Sequence, residues 1–133
     1  MKLILFLDER DGMLFCGRRQ SKDRIAREYI ANLARGARLY MNEFSAKQFE
    51  EGGDLTVVAD PQSEAGNEDF VLIENLPVSV AGVDTVYLFL WNRHYPASVY
   101  FDRALLSGFT LAHTEEFAGS SHEKITVERY EKV

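Results

Sequence analysis

Two short stretches hold most of the side chains that could do chemistry. Ser120-Ser121-His122-Glu123 sets hydroxyls, an imidazole and a carboxylate in sequence. Those are the groups of nucleophilic hydrolysis, but neighbours on an extended chain point to opposite faces, so they do not form a triad with one another. His122 could serve as acid or base only with partners brought from elsewhere in the fold. Two readings stand: a catalytic or ligand-contacting His122, or a loop that clasps another part of the chain. The second stretch is Trp91-Asn92-Arg93-His94-Tyr95-Pro96. Trp and Tyr offer stacking faces, Arg a planar fork for carboxylate or phosphate, and Asn both donor and acceptor. Such density on a loop suits recognition. The alternative is a packed corner, with Trp91 plugging the core and Arg93 paired to an acid.

A third stretch, Arg18-Arg19-Gln20-Ser21, precedes a helix, whose N-terminal N–H groups and dipole favour an anion. Residues 18–38 carry seven basic side chains against two acids, a local charge of +5 in a chain of −6, which leaves −11 on the remainder. Either an anion site lies here, or a solvated helix face with arginine stems covering Tyr29 or Phe15. The overall negative charge argues against general DNA or RNA binding. The lone cysteine, Cys16, excludes an internal disulfide and a Cys-rich zinc site. Beside Gly17, and with no histidine near in sequence, it reads as a small core residue rather than a nucleophile.

The elements that must position these groups follow from apolar patterning. At 133 residues, 46% hydrophobic, the chain is one domain with a substantial core. No apolar run approaches the roughly 20 residues of a membrane span. Leu3–Leu7 is too short for a signal-peptide core and reads as a central first strand, so a cytoplasmic protein is expected. Residues 13–17 read as a loop or short extended piece. Ile25, Tyr29, Ile30 and Leu33 share one helical face, which predicts a helix over about 22–35, capped by Ser21 or Asp23 and closed by Gly36. Ala37–Met41 is a second strand. Asn42 or Ser45 caps a short helix through Phe44, Phe49 and Glu50, ended by Gly52-Gly53. Leu55–Ala59 reads as a buried third strand, 60–69 as loop, Phe70–Ile73 and Thr85–Trp91 as the next two strands. Antiparallel segments at Phe109–Glu116 and Lys124–Glu131 finish the chain. The expected class is α/β: a single mixed sheet flanked by helices.

Three stretches together resemble the dihydrofolate reductase family. Arg38–Ser45 resembles the reductase strand that opens a helix through a hydroxyl residue. Tyr87-Leu88 through Tyr100-Phe101 is similar to its strand, long loop and aromatic strand start. Ser120–Glu123 followed by Ile125–Tyr130 resembles its last hairpin loop and C-terminal strand. The resemblance covers most of the chain and implies that fold. It also implies that the 120–123 loop hydrogen-bonds residues 10–20, and that the junction at Arg18–Ser21 borders a cleft. If Arg18 or Arg19, Asn42, Arg93 and His122 share that cleft, a small acidic or phosphorylated ligand would suit it. The activity is another matter. Where the reductases hold NADPH phosphates with a Gly-Gly motif, this chain has Ile73-Glu74-Asn75-Leu76-Pro77. Their substrate-facing threonine falls at Phe89, and Asp23 and Glu28 each lie about a turn from the pterin-protonating acid.

The chain is also similar to short bacterial proteins with Gly12–Phe15, Arg18–Ser21, Ser45–Phe49, Trp91–Pro96 and Gly119–Thr126 in common, some labelled ribonuclease Z. That enzyme needs a His-x-His-x-Asp-His cluster for two zinc ions, and His94, His113 and His122 are widely spaced. The expectation is therefore a scaffold without reductase chemistry or bound cofactor or metal, binding a small anion through Arg18, Arg19, Asp23, Asn42, Trp91, Asn92, Arg93 and Ser121. The alternatives are a metal-independent hydrolase or nuclease using His122 and arginines, and a protein-interaction module anchored by Trp91 and Tyr95.

Overall fold

The computed structural model describes residues 1–49 and 54–133. Strand β1 (Lys2–Leu7) runs through the middle of the molecule, with Leu3, Ile4, Leu5 and Leu7 fully buried. Alternate residues face opposite sides. Leu3, Leu5 and Leu7 enter one hydrophobic cluster, Ile4 and Phe6 another. Each such side chain contributes about 1.5–3 kcal/mol through burial, which is why the apolar run forms a two-faced central strand.

After β1 come β2 (Gly12–Phe15), β3 (Arg18–Arg19), helix α1 (Arg24–Leu33), β4 (Leu39–Met41), helix α2 (Glu43–Ala46) and β5 (Leu55–Val57). The second half holds helix α3 (Pro61–Glu64), β6 (Phe70–Leu72), β7 (Thr85–Leu90), β8 (Val99–Tyr100), a 3-10 turn (Arg103–Leu106), β9 (Phe109–Phe117) and β10 (Ile125–Lys132). Seven strands form one sheet in the order β5-β4-β6-β1-β7-β10-β9. The first five are parallel, and β10 and β9 add antiparallel at one side. The expected mixed sheet is therefore present. Beside it lies a small second sheet, β3-β2-β8, in which the expected loop or short extended piece at 13–17 is strand over Gly12–Phe15.

Helix α1 begins where Asp23 caps it, its carboxylate accepting from the N–H groups of Ile25 and Ala26. Ala26 and Ile30 are buried against Phe6, Phe89 and Ile125. Past the helix, Gly36 takes a left-handed φ of 87°, the conformation glycine adopts without strain. Asn42 caps α2 through Ser45 N–H; the Gly52-Gly53 stop and Glu50 lie outside the described residues. Three expectations are corrected. The strand at 55–57 is an edge rather than a buried strand, with Val57 exposed. Pro61 starts a short helix inside the expected 60–69 loop. Cys16 is exposed, not core, because it and Gly17 form the left-handed turn between β2 and β3.

Candidate functional site

The C-terminal ends of β1, β4, β6 and β7 open on one edge of the sheet, where open α/β sheets bind their ligands. Asp23, at the start of α1, is buried there, with its carboxylate surrounded by donors. Besides the two cap amides, it accepts from Ser120 N–H (3.0 Å), Ser121 N–H (2.8 Å) and His122 Nδ1 (3.0 Å). Burial alone would raise its pKa. The hydrogen bonds from Ser121, His122, Ser120 and Ala26 outweigh that and hold the carboxyl well below its ordinary range. A fixed carboxylate dictates the imidazole tautomer: Nδ1 carries the hydrogen and Nε2 presents a lone pair. Two hydroxyls converge on that atom, Ser21 Oγ at 3.1 Å and Tyr95 Oη at 2.9 Å, themselves 3.4 Å apart. Trp91 stacks on the imidazole at 4.5 Å between centroids and on Phe6 at 4.7 Å.

A second buried cluster is built on Glu74, just past β6. Arg19 donates to it through Nε (2.8 Å) and Nη2 (3.1 Å), and Gln48 Nε2 through a 2.9 Å bond. The same guanidinium donates to the Phe44 carbonyl and lies over the Phe44 ring. Asn42, while capping α2, donates to Asn75 at 2.7 Å. Asp8, at the end of β1, is the third buried acid. Burial works to raise its pKa, but the N–H groups of Gly12, Arg10 and Tyr95 hold it below the usual value.

The residues singled out from sequence thus divide into separate groups. His122, Asp23, Trp91 and the backbone of Ser121 come together; the Ser121 side chain is exposed. Arg19 and Asn42 belong to the Glu74 cluster. Arg93 and Asn92 line a shallow groove of about 440 Å³ with Trp91, Glu123 and Lys124. Arg18 is exposed. No contact among the described residues joins Arg19, Asn42, Arg93 and His122 directly: Arg19 pairs with Glu74, Asn42 with Asn75 and His122 with Asp23. The clasp also lands elsewhere than expected: the 120–122 loop bonds Ser21, Asp23 and Arg24, not residues 10–20. Trp91, 2% exposed, is the packed corner and not an anchor for a partner. Phe89, fully buried, packs on Phe6 and Tyr29.

Ser21, Tyr95 and Glu74 are the functional candidates that sequence reasoning did not assign to these clusters. Ser21 stood out as a cap and as the end of the Arg18–Ser21 stretch, Tyr95 as a stacking face and partner anchor, and Glu74 as an acid in the wrong place for a phosphate. The pairing of Ser21 with His122 spans 101 residues of sequence, so no local spacing announces it.

No protein-family model matches this chain, and no curated protein matches it. Among solved structures it is similar to a dihydrofolate reductase from Enterococcus faecalis complexed with NADP(H) and RAB-propyl. The TM-score is 0.67 at 11% identity, over 98% of this chain and 95% of that one. The chain therefore has a dihydrofolate reductase-like fold. Nothing in these comparisons supports a relation to ribonuclease Z. No helix among the described residues is long and apolar enough to cross a membrane.

Proposed function

We propose that this chain binds a small anionic molecule at the carboxyl edge of its parallel strands and does not carry out reductase chemistry. The reading rests on how charge is committed at that edge. The buried acids Asp23 and Glu74 are taken up by donors of the chain itself, so neither is left to protonate or pair with a pterin. The cations divide differently. Arg19 is held by Glu74 and Arg24 by Glu28, while Arg18 and Lys22 are exposed and make no ion pair among the described residues. Both lie within three residues of Ser21 in the chain, and an anion near them would meet positive charge that no carboxylate of the described residues offsets.

Two measurements test this. Thermal unfolding in rising inorganic phosphate should show a Tm increase of several degrees, since a ligand at 100 times its Kd adds about 2.7 kcal/mol. The Arg18→Glu/Lys22→Glu double variant should lose that increase. The same protein mixed with NADPH and dihydrofolate should leave the NADPH absorbance unchanged. Absence of any phosphate effect, an equal effect in the double variant, or steady NADPH consumption would each overturn the proposal.

A further inference from the structure

Hydroxyl, imidazole and carboxylate stand in line at the head of α1: Ser21 Oγ is 3.1 Å from His122 Nε2, and His122 Nδ1 is 3.0 Å from Asp23 Oδ2. The geometry points to a serine hydrolase site, with Ser21 as nucleophile, His122 as general base and Asp23 as the group that orients the imidazole. Nucleophile and base are within hydrogen-bond reach, and the base is held by a third group, which is how such a constellation is recognised whatever its order along the chain. The carboxylate accepts four backbone N–H bonds, two from the head of α1 and two from the 120–121 loop, which fix it on the imidazole. Trp91 stacked on one face keeps the ring from turning. Ser21 is only half-buried, so a substrate can reach its Oγ while the imidazole stays in the interior.

The ligand class follows from chemistry and charge. The substrate is a small carboxylic ester, and its negative charge rests on the anion reading above. Ser21 Oγ attacks the ester carbonyl carbon as its proton passes to His122 Nε2. The tetrahedral adduct collapses, the carbon–alkoxy bond breaks, and Nε2–H returns the proton to the departing alkoxide. Water then attacks the acyl-Ser21 carbonyl, giving a proton to Nε2, and the carboxylic acid leaves as Ser21 Oγ takes that proton back. Lys22 N–H, the amide that follows the nucleophile on an exposed residue, is the oxyanion donor in this assignment. Tyr95 Oη, sharing Nε2 with Ser21, is a positioning group for the serine hydroxyl.

The test is covalent labelling of the full chain with an alkyl fluorophosphonate, read by intact mass and peptide mapping. One adduct on Ser21 is expected, with none in a folded Ser21→Ala variant and roughly 10³-fold slower labelling in His122→Gln. No adduct, an adduct on another residue, or undiminished labelling of Ser21→Ala overturns the assignment, and mapping on the wild-type chain needs no variant to fold. Hydrolysis of p-nitrophenyl acetate and its carboxylate-bearing hemisuccinate analogue then separates the two proposals. Labelled Ser21 with equal rates on both esters removes the anionic substrate and keeps the nucleophile. Phosphate stabilisation without labelling removes the nucleophile alone.

Discussion

Asp23 and Glu74 are both carboxylates buried at the same edge of one sheet, and they are held in opposite ways. Among the described residues, Asp23 accepts four backbone N–H groups and one imidazole, with no lysine or arginine on it. Among the same residues, Glu74 accepts side-chain donors alone, from Arg19 and Gln48. Backbone donors are fixed by the fold and cannot be edited away one at a time. Side-chain donors are separable, and the partly exposed Arg19 can turn to water. The first arrangement sets geometry; the second fills space. That difference is what suits Asp23 to the orienting role in the proposed hydrolase site, and it can be measured.

The largest expected effect is at Asp23. Asparagine there presents an amide N–H₂ to donors that need an acceptor, and each orphaned buried donor costs about 1–3 kcal/mol. Asp23→Asn should lose about 3–5 kcal/mol in urea unfolding; a loss below about 1 kcal/mol would erase the contrast. Glu74→Gln should cost less, about 2–3 kcal/mol, because Arg19 regains solvent. Replacing the cluster together, as Arg19→Met, Gln48→Met and Glu74→Leu, should return stability to within about 1 kcal/mol of wild type, because no buried side-chain donor of the cluster is left without its acceptor. No joint replacement should rescue Asp23→Asn in this way, and one that did would show that its shell is separable after all.

Acid sharpens the comparison further. The folded Asp23 carboxyl titrates below its unfolded value of 3.8, so the unfolded chain takes up the proton first. Its contribution is complete above that value and is lost as pH falls below it. Urea midpoints at pH 5 and pH 3 should therefore differ strongly in wild type and less in Asp23→Asn. Asp8, shifted in the same direction, supplies part of what remains. An unchanged pH dependence would sink the backbone-shell argument. The smallest effect is at the exposed Arg18: Arg18→Ala should move stability by no more than about 0.5 kcal/mol, whatever it does to phosphate affinity.

The parts of the molecule legible in the sequence are those fixed by local pattern. The apolar run Leu3–Leu7 had to be a covered strand, the Ile25/Tyr29/Ile30/Leu33 face had to be a helix, and Asp23 was a visible cap. The fold as a whole was readable through its resemblance to the reductases. What was not legible depends on pairing between distant residues. Whether Trp91 faces a partner or the core turns on Phe6 and His122, and nothing in residues 91–96 decides it. Cys16 looked like core because it is small and lies among apolar residues, yet a two-residue turn between β2 and β3 turns it outward. The edge position of β5 follows from strand order, which the three residues Leu55-Thr56-Val57 cannot disclose. The partner of Arg19 was hidden for a similar reason: it meets Glu74, 55 residues away.

The cap of α1 also has a history in time. Three of the donors on Asp23 belong to residues 97, 98 and 99 positions further along the chain. They reach it only when the last hairpin, β9 and β10, is laid against β7. Closing so long a loop is entropically unfavourable and comes late relative to local contacts. On a ribosome, the helix is made with an unfinished cap that residues 120–122 complete only later. The Ser21–His122 pair, spanning 101 residues, is assembled at that same moment. Without residues 120–122 the chain would keep the parallel part of its sheet, with no imidazole between Asp23 and Ser21.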